Sequence, residues 1–250
     1  MNIAKTISRP LTTGTDQHGI ATFLDWLANG WRLFLVAPLR LFAVMVLLFA
    51  VEILVQAGIP SMGVPASKWV LGMLTGVIWL ALDQLDTGGR LQLTRAAGRI
   101  GGKWAALAGL ALLSLLVYFL QVGVACLILG PEAVDLLVFS NPAPDLSLSA
   151  FEMGLIFSAG IPLSTLLMFA TPLLLIQRPP PGRAVMTSIR LVVRHVVPMG
   201  LLALLTMAVV FLAPATFLLS ALLTGPWLLC VGLVAFRSIA QPLAEDGAWR

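Results

Sequence analysis

The chain has 250 residues, of which 59% are hydrophobic and only 10% charged, with a mean hydropathy of +1.00. Soluble domains carry about 25% charged residues, so this composition excludes an ordinary soluble domain and points to a polytopic membrane protein, each crossing needing ~20 apolar residues. The net charge of +4 and pI near 9.7 come from basic residues set beside apolar runs, which points to anionic lipid headgroups and away from nucleic acid.

Residues 1–17 are polar, contain Pro10 and Gly14, and read as a flexible tail. No cleavable apolar core follows them, so no signal peptide is expected. The stretch IATFLDWLANGWRLF puts Phe23, Trp26, Leu27 and Phe34 on one helical face and Asp25, Asn29 and Arg32 on the other. It predicts an interfacial helix over about 20–32. A first span is expected over about 36–57, with Pro38 in its first turn, where proline is tolerated. After the turn-like GIPSMGVPAS a second span covers about 68–83.

A second interfacial helix is expected over about 90–102, where Arg95, Arg99 and Lys103 share one side and Leu93, Ala97 and Ile100 another. Like the later segment at Gly182-Arg183, it opens on Gly-Arg, here Gly89-Arg90, with a Thr four residues past the arginine (Thr94, Thr187). The third span is 104–129 and the fourth 152–177, in which Pro162 and Pro172 predict kinks. The loop between them carries Glu132, Asp135, Asp145 and Glu152 and no positive charge. Pro179-Pro180-Pro181-Gly182 stops the fourth span. A third interfacial helix over 183–194 then gathers Arg183, Thr187, Arg190 and Arg194 in one stripe, with Val185, Met186, Ile189, Val192 and Val193 opposite. The next 41 residues, 196–236, hold no charge. They are long enough for two spans, 196–213 and 217–236, with a turn near Pro214 and Gly225-Pro226 as a kink. Residues 238–250 read as a second tail.

The fold class expected is therefore all-α: one six-helix membrane domain over 18–237 with cytoplasmic interfacial amphipathic helices. If the N-terminus lies inside, fourteen of the fifteen Lys and Arg residues fall on the cytoplasmic side and only Lys68 outside. That asymmetry predicts that both termini are cytoplasmic. The order also reads as three units of interfacial helix plus hairpin, about 18–83, 88–177 and 182–237. A common grammar of membrane chains would give a similar likeness, and both explanations stay open.

The stretch MFATPLLLIQRPPPGRAVMTSIRLVVRHVVPMGLL, with HGIATFLDWLANGWRLFLVAPLRLF near the start, carries two patterns. One is Gly30, Trp31, Phe34 and Pro38; the other is Ala184 and Ser188 followed by Pro198, one residue further than its pattern. In these the chain resembles a family of uncharacterised proteobacterial multi-pass inner-membrane proteins. The resemblance covers nearly the whole chain, supports the topology and brings no activity.

Catalytic signatures are missing from the sequence: there is no His-Glu-x-x-His, Gly-x-Ser-x-Gly or phosphate-binding glycine loop. No enzyme activity, cofactor or metal is expected. His18 and His195 lack a third ligand, and Cys126 and Cys230 read as small buried hydrophobes. The headgroup-binding candidates are Arg90, Arg95, Arg99, Lys103, Arg183, Arg190 and Arg194. A candidate intramembrane polar site leans toward the outer side: Glu52, Gln56, Lys68 and Gln121, with Tyr118 and Ser114 on the Gln121 face. Asp83 and Asp86, three apart at the inner end of the second span, are expected to pair with the neighbouring Arg90 and Arg95. Gly72 and Gly76 form a small-x-x-x-small motif expected to pack within the bundle. The function expected is a non-enzymatic accessory, assembly or lipid-organising component, with membrane lipids and a membrane protein as candidate partners. The alternative is a small transporter of an amphiphilic solute working around Glu52 and Gln121.

Overall fold

The computed structural model describes residues 16–59, 62–139 and 148–245, and every regular element among them is a helix. α1 (Asp16–Val36) and α2 (Pro38–Gly58) meet at Ala37, because Pro38 has no N–H to continue one helix and takes the first turn of the next. α3 (Gly63–Gly88) stops where Gly89 turns left-handed, φ 63°. α4 (Leu93–Ile100) leads through the single turn Gly101–Lys103 into α5 (Trp104–Leu129), and α6 (Glu132–Leu137) follows. α7 (Ala150–Ala159) opens on a capping box: the Glu152 N–H donates to Ser149 Oγ at 3.2 Å, and the Ser149 N–H donates back to the Glu152 carboxylate at 2.9 Å.

The fourth expected span, a kinked run over 152–177, is present as Ala150–Gln177 and is interrupted just before each of its two prolines. α7 gives way at Gly160 to α8 (Ile161–Leu167), then at Met168-Phe169 to α9 (Ala170–Pro172) and a π-helical turn, Leu173–Gln177. Pro162 and Pro172 each remove a backbone donor from the ladder, and the helix re-forms in pieces. α10 (Pro181–Arg194) and α11 (Val196–Leu212) are joined at His195 with a 98° bend, and α12 (Leu219–Glu245) closes the chain.

Boundaries move in two further places. The second span, expected at 68–83, extends five residues at each end, to Gly63–Gly88. The tail expected from 238 begins as helix, since α12 runs to Glu245, and it passes through Gly225-Pro226 without a break. Its one arginine, Arg237, finds carboxylates on α3, so the charge does not end the helix. Of the N-terminal tail, Asp16 and Gln17 open α1. Residues 1–15, 60–61, 140–147 and 246–250, with Lys5, Arg9, Asp145 and Arg250, lie outside the described residues.

Five runs are long and apolar enough to cross a membrane: Pro38–Gly58, Gly63–Gly88, Leu93–Leu129, Ala150–Gln177 and Leu219–Ala240. α11, 17 residues long, qualifies only in company with α10. This is the helix set of a multi-pass integral membrane protein.

The packing order is cyclic. α2 lies against α3, α3 against α5, α5 against α7, α7 and α8 against α11, α11 against α12, and α12 back against α2. Alternate members differ in depth. In α3, the Ala150–Gln177 run and α12, the apolar windows are 44%, 39% and 44% buried; in α2 and the Leu93–Leu129 run they are 11% and 17%. The first three therefore form an inner triangle and the others an outer layer. The middle is filled by aromatic rings: Phe236 lies 6.1 Å from Trp79 and 5.8 Å from Phe169, all three buried. The short helices follow the same cycle: α4 packs on α3, α10 on α8 and α9, and α1 on α12.

Glycines set the closest approaches. A Cβ at Gly30 would lie 2.8 Å from Val231 Cα, so α1 crosses α12 nearly backbone to backbone. Gly72 faces Ala111 and Ser114 of α5, and Gly76 faces Leu107 and Leu175. Gly72→Ala should cost about 1 kcal/mol of stability, because the new methyl would meet Ala111 Cβ and Ser114 Oγ, both at 3.0 Å. A thermal melt in mild detergent measures it, and a melt at or above wild type would refute this reading of the α3–α5 seam.

Candidate functional site

One end of the triangle carries a junction of charges. Asp83 and Asp86 sit one turn apart on α3. Asp83 accepts from Arg237 Nη2 at 2.9 Å and from Arg99 Nη1 at 3.1 Å, while Asp86 accepts from Arg237 Nη1. The side chains of Asp83, Asp86 and Arg237 keep only 14%, 13% and 19% of their exposure. The expected partners, Arg90 and Arg95, are exposed and make neither bond. Geometry explains the correction. Gly89 turns the chain away from α3, so the next arginines leave the face on which the aspartates lie. Arg237 returns from α12, and Arg99 reaches over from α4. One signal was present in the sequence: a lone arginine ending a 41-residue uncharged run is costly in a membrane unless it is paired. Beside this junction, Gln177 donates to Ala240 O at 2.9 Å, tying the π turn to α12.

The other basic candidates divide by environment. Lys103 Nζ donates to Leu174 O at 3.1 Å. Arg90, Arg95, Arg190 and Arg194 are exposed and form no ion pair with any described residue, and Arg183 is exposed. α10 resolves into three faces at 100° per residue. Arg183, Arg190 and Arg194 make one. Ala184, Ser188, Leu191 and Val192 make a second, buried against the rest of the protein. Met186 and Val193, 52% and 61% exposed, make a third. The sequence shows the arginine and apolar stripes, but it does not separate the apolar residues that meet protein from those left open. Ser188 pins the buried face: its hydroxyl donates to Leu166 O at 2.7 Å and accepts from the Phe169 N–H at 3.1 Å, across the break between α8 and α9. His195 Nδ1 lies 3.0 Å from Leu191 O at the bend into α11.

The outer-leaning residues come together in part. Glu52 on α2 takes Lys68 of α3 as its ion pair and accepts from Gln56 Nε2 at 3.4 Å; Gln56 also bonds Ser67 at 3.2 Å. Glu52 lines a cleft of about 210 Å³ together with Met45, Leu48, Phe49, Leu71 and Thr75. Gln121 stands apart from this group. Its Nε2 donates to Phe157 O at 2.8 Å, joining α5 to α7, and Tyr118 donates to Leu137 O at 2.6 Å. Ser114 bonds the backbone of Lys68 at 3.2 Å, so the Gln121 face reaches α3 only through main chain. Cys126 and Cys230 are free thiols in the helices.

Compared with known proteins, the chain matches no family model, no curated protein and no solved structure.

Proposed function

We propose that the protein is a six-span inner-membrane component with both termini cytoplasmic, and that it is a non-enzymatic accessory or lipid-organising protein holding anionic headgroups through its basic helices. The observation that carries this reading is the three-faced α10. One face seats on the bundle, Met186 and Val193 offer open apolar surface, and the arginine stripe lies about 70° round from them. A helix lying in the headgroup plane beside a bundle needs that division: protein on one side, acyl chains below, phosphates above. The 98° turn at His195 supports the placement, because it lays α10 across the axis of α11. In this reading α4 is the second such helix and α1 the third, and α11 is the sixth span.

Glutamine at Arg183, Arg190 and Arg194 together should lower retention of phosphatidylglycerol by roughly a hundredfold at low salt, taking ~1 kcal/mol per basic residue. Lipids copurifying in mild detergent are quantified by mass spectrometry, and an unchanged lipid profile would sink the reading. The transport alternative has the cleft at Glu52 in its favour. There, however, the carboxylate is already matched by Lys68, which suits a fixed inter-helix tie better than a group that loads and releases a cation.

A further inference from the structure

The π turn at the end of the fourth span leaves one carbonyl in an unusual position. In a π-helix each carbonyl bonds the N–H five residues on. Leu173 does so, accepting from Arg178 N at 3.0 Å. The next carbonyl, Leu174, would face residue 179, which is a proline and has no N–H. Lys103 supplies the missing donor from the start of α5, at 3.1 Å. This fixes the ammonium beside the end of the turn, where Arg178, exposed and with φ 64°, closes the helix. The two residues come from segments 75 positions apart in sequence, and the geometry brings them to one corner: Lys103 Nζ bonds the Leu174 carbonyl, next to the Leu173 carbonyl that accepts the Arg178 N–H. Neither forms an ion pair with a described carboxylate, for Asp83 and Asp86 are taken by Arg99 and Arg237. Lys103 spends one of its three N–H donors on Leu174, and Arg178 has an exposed guanidinium of five. Two like charges held together without an acid between them repel unless an anion joins them, and a phosphate accepts from both at once.

We propose that Lys103 and Arg178 form a discrete site for the phosphate of one phospholipid headgroup, at the corner where α5 begins and the fourth span ends. Trp104, next to Lys103 and 40% exposed, is the residue type that marks the headgroup level. The proposal deepens the reading above and rests on its placing this end of the bundle at the headgroup plane. It differs in kind from the α10 stripe: a single bound lipid held by directed hydrogen bonds, against a diffuse layer held by surface charge.

The test uses the full-length, delipidated protein incubated with phosphatidylglycerol and read by native mass spectrometry. At about 0.5 M salt surface fields are screened, and one lipid should stay bound. Lys103→Gln with Arg178→Gln should cut that occupancy by about tenfold, whereas Arg190→Gln with Arg194→Gln should leave it intact and reduce only the salt-sensitive lipids. Arg178→Gln alone, which keeps the Lys103–Leu174 bond, should show the same loss in a protein of unchanged melting temperature. Equal occupancy in wild type and the Lys103/Arg178 variants overturns the site while leaving the α10 reading standing. Loss of salt-sensitive binding without loss of the discrete lipid in the α10 variant supports both. Displacement of the lipid by millimolar inorganic phosphate would assign the site to free phosphate and overturn the lipid claim.

Discussion

Methionine in place of Arg237 should destabilise the protein by about 3–5 kcal/mol, the range for removing one partner of a buried ion pair. The substitution removes the only cation among the described residues that touches both Asp83 and Asp86, leaving two carboxylates one turn apart and nearly enclosed, with Arg99 holding just the first. Like charges so placed repel, and α12 loses its charged tie to α3. The penalty belongs to the stranded acids more than to the lost attraction, so it should be reversible from the other side. Asp83→Asn and Asp86→Asn added to Arg237→Met should recover most of the melting temperature measured in mild detergent. A single Arg237→Met variant that melts with the wild type would show that the junction is water-filled and weak.

Ser188→Ala should cost about 1–3 kcal/mol, because it strands the buried Phe169 N–H and takes a donor from the part-buried Leu166 carbonyl. Ser188 is fully buried, and its hydroxyl serves as acceptor for the Phe169 N–H and donor to Leu166 O where the fourth span is broken. Phe169 is itself fully buried, so its N–H has no ready access to water in place of the hydroxyl. The residue-level signature is hydrogen exchange: the Phe169 amide should exchange faster in the variant, while amides of α2 keep their protection. Uniform loss of protection across the bundle, or no change at Phe169, would remove Ser188 from this role.

The two residues behind these predictions also show where sequence reading succeeds and where it stops. Proline positions and apolar length found the helices: Pro38 starts α2 and Trp104–Leu129 is the third span end to end. Glu52 and Lys68, 16 apart across one short hairpin, were within reach of a spacing argument, and the structure pairs them. Arg237 was not, because its partners lie 154 residues earlier and the nearest arginines in sequence are turned away by a glycine. Gln121 shares depth with Glu52 but faces a different neighbour, and depth alone does not give azimuth. Ser188 stood out in the sequence only as part of a pattern with Ala184 and Pro198. Its work depends on a break in another helix, and the prolines predict bending there without saying which donor and acceptor are released.

The cyclic seating of the short helices has a consequence for how the chain is made. α4 is synthesised just after the helix it rests on, and so is α10. α1 is the exception: it precedes the other described helices in the chain, yet its main seats are α11 and α12, which follow them. Gly30 has nothing to press against until Val231 has been translated, nor has Gly19 until Val197. α1 therefore waits without its main seats while the helices between are made, and clasps the bundle only once α11 and α12 have followed.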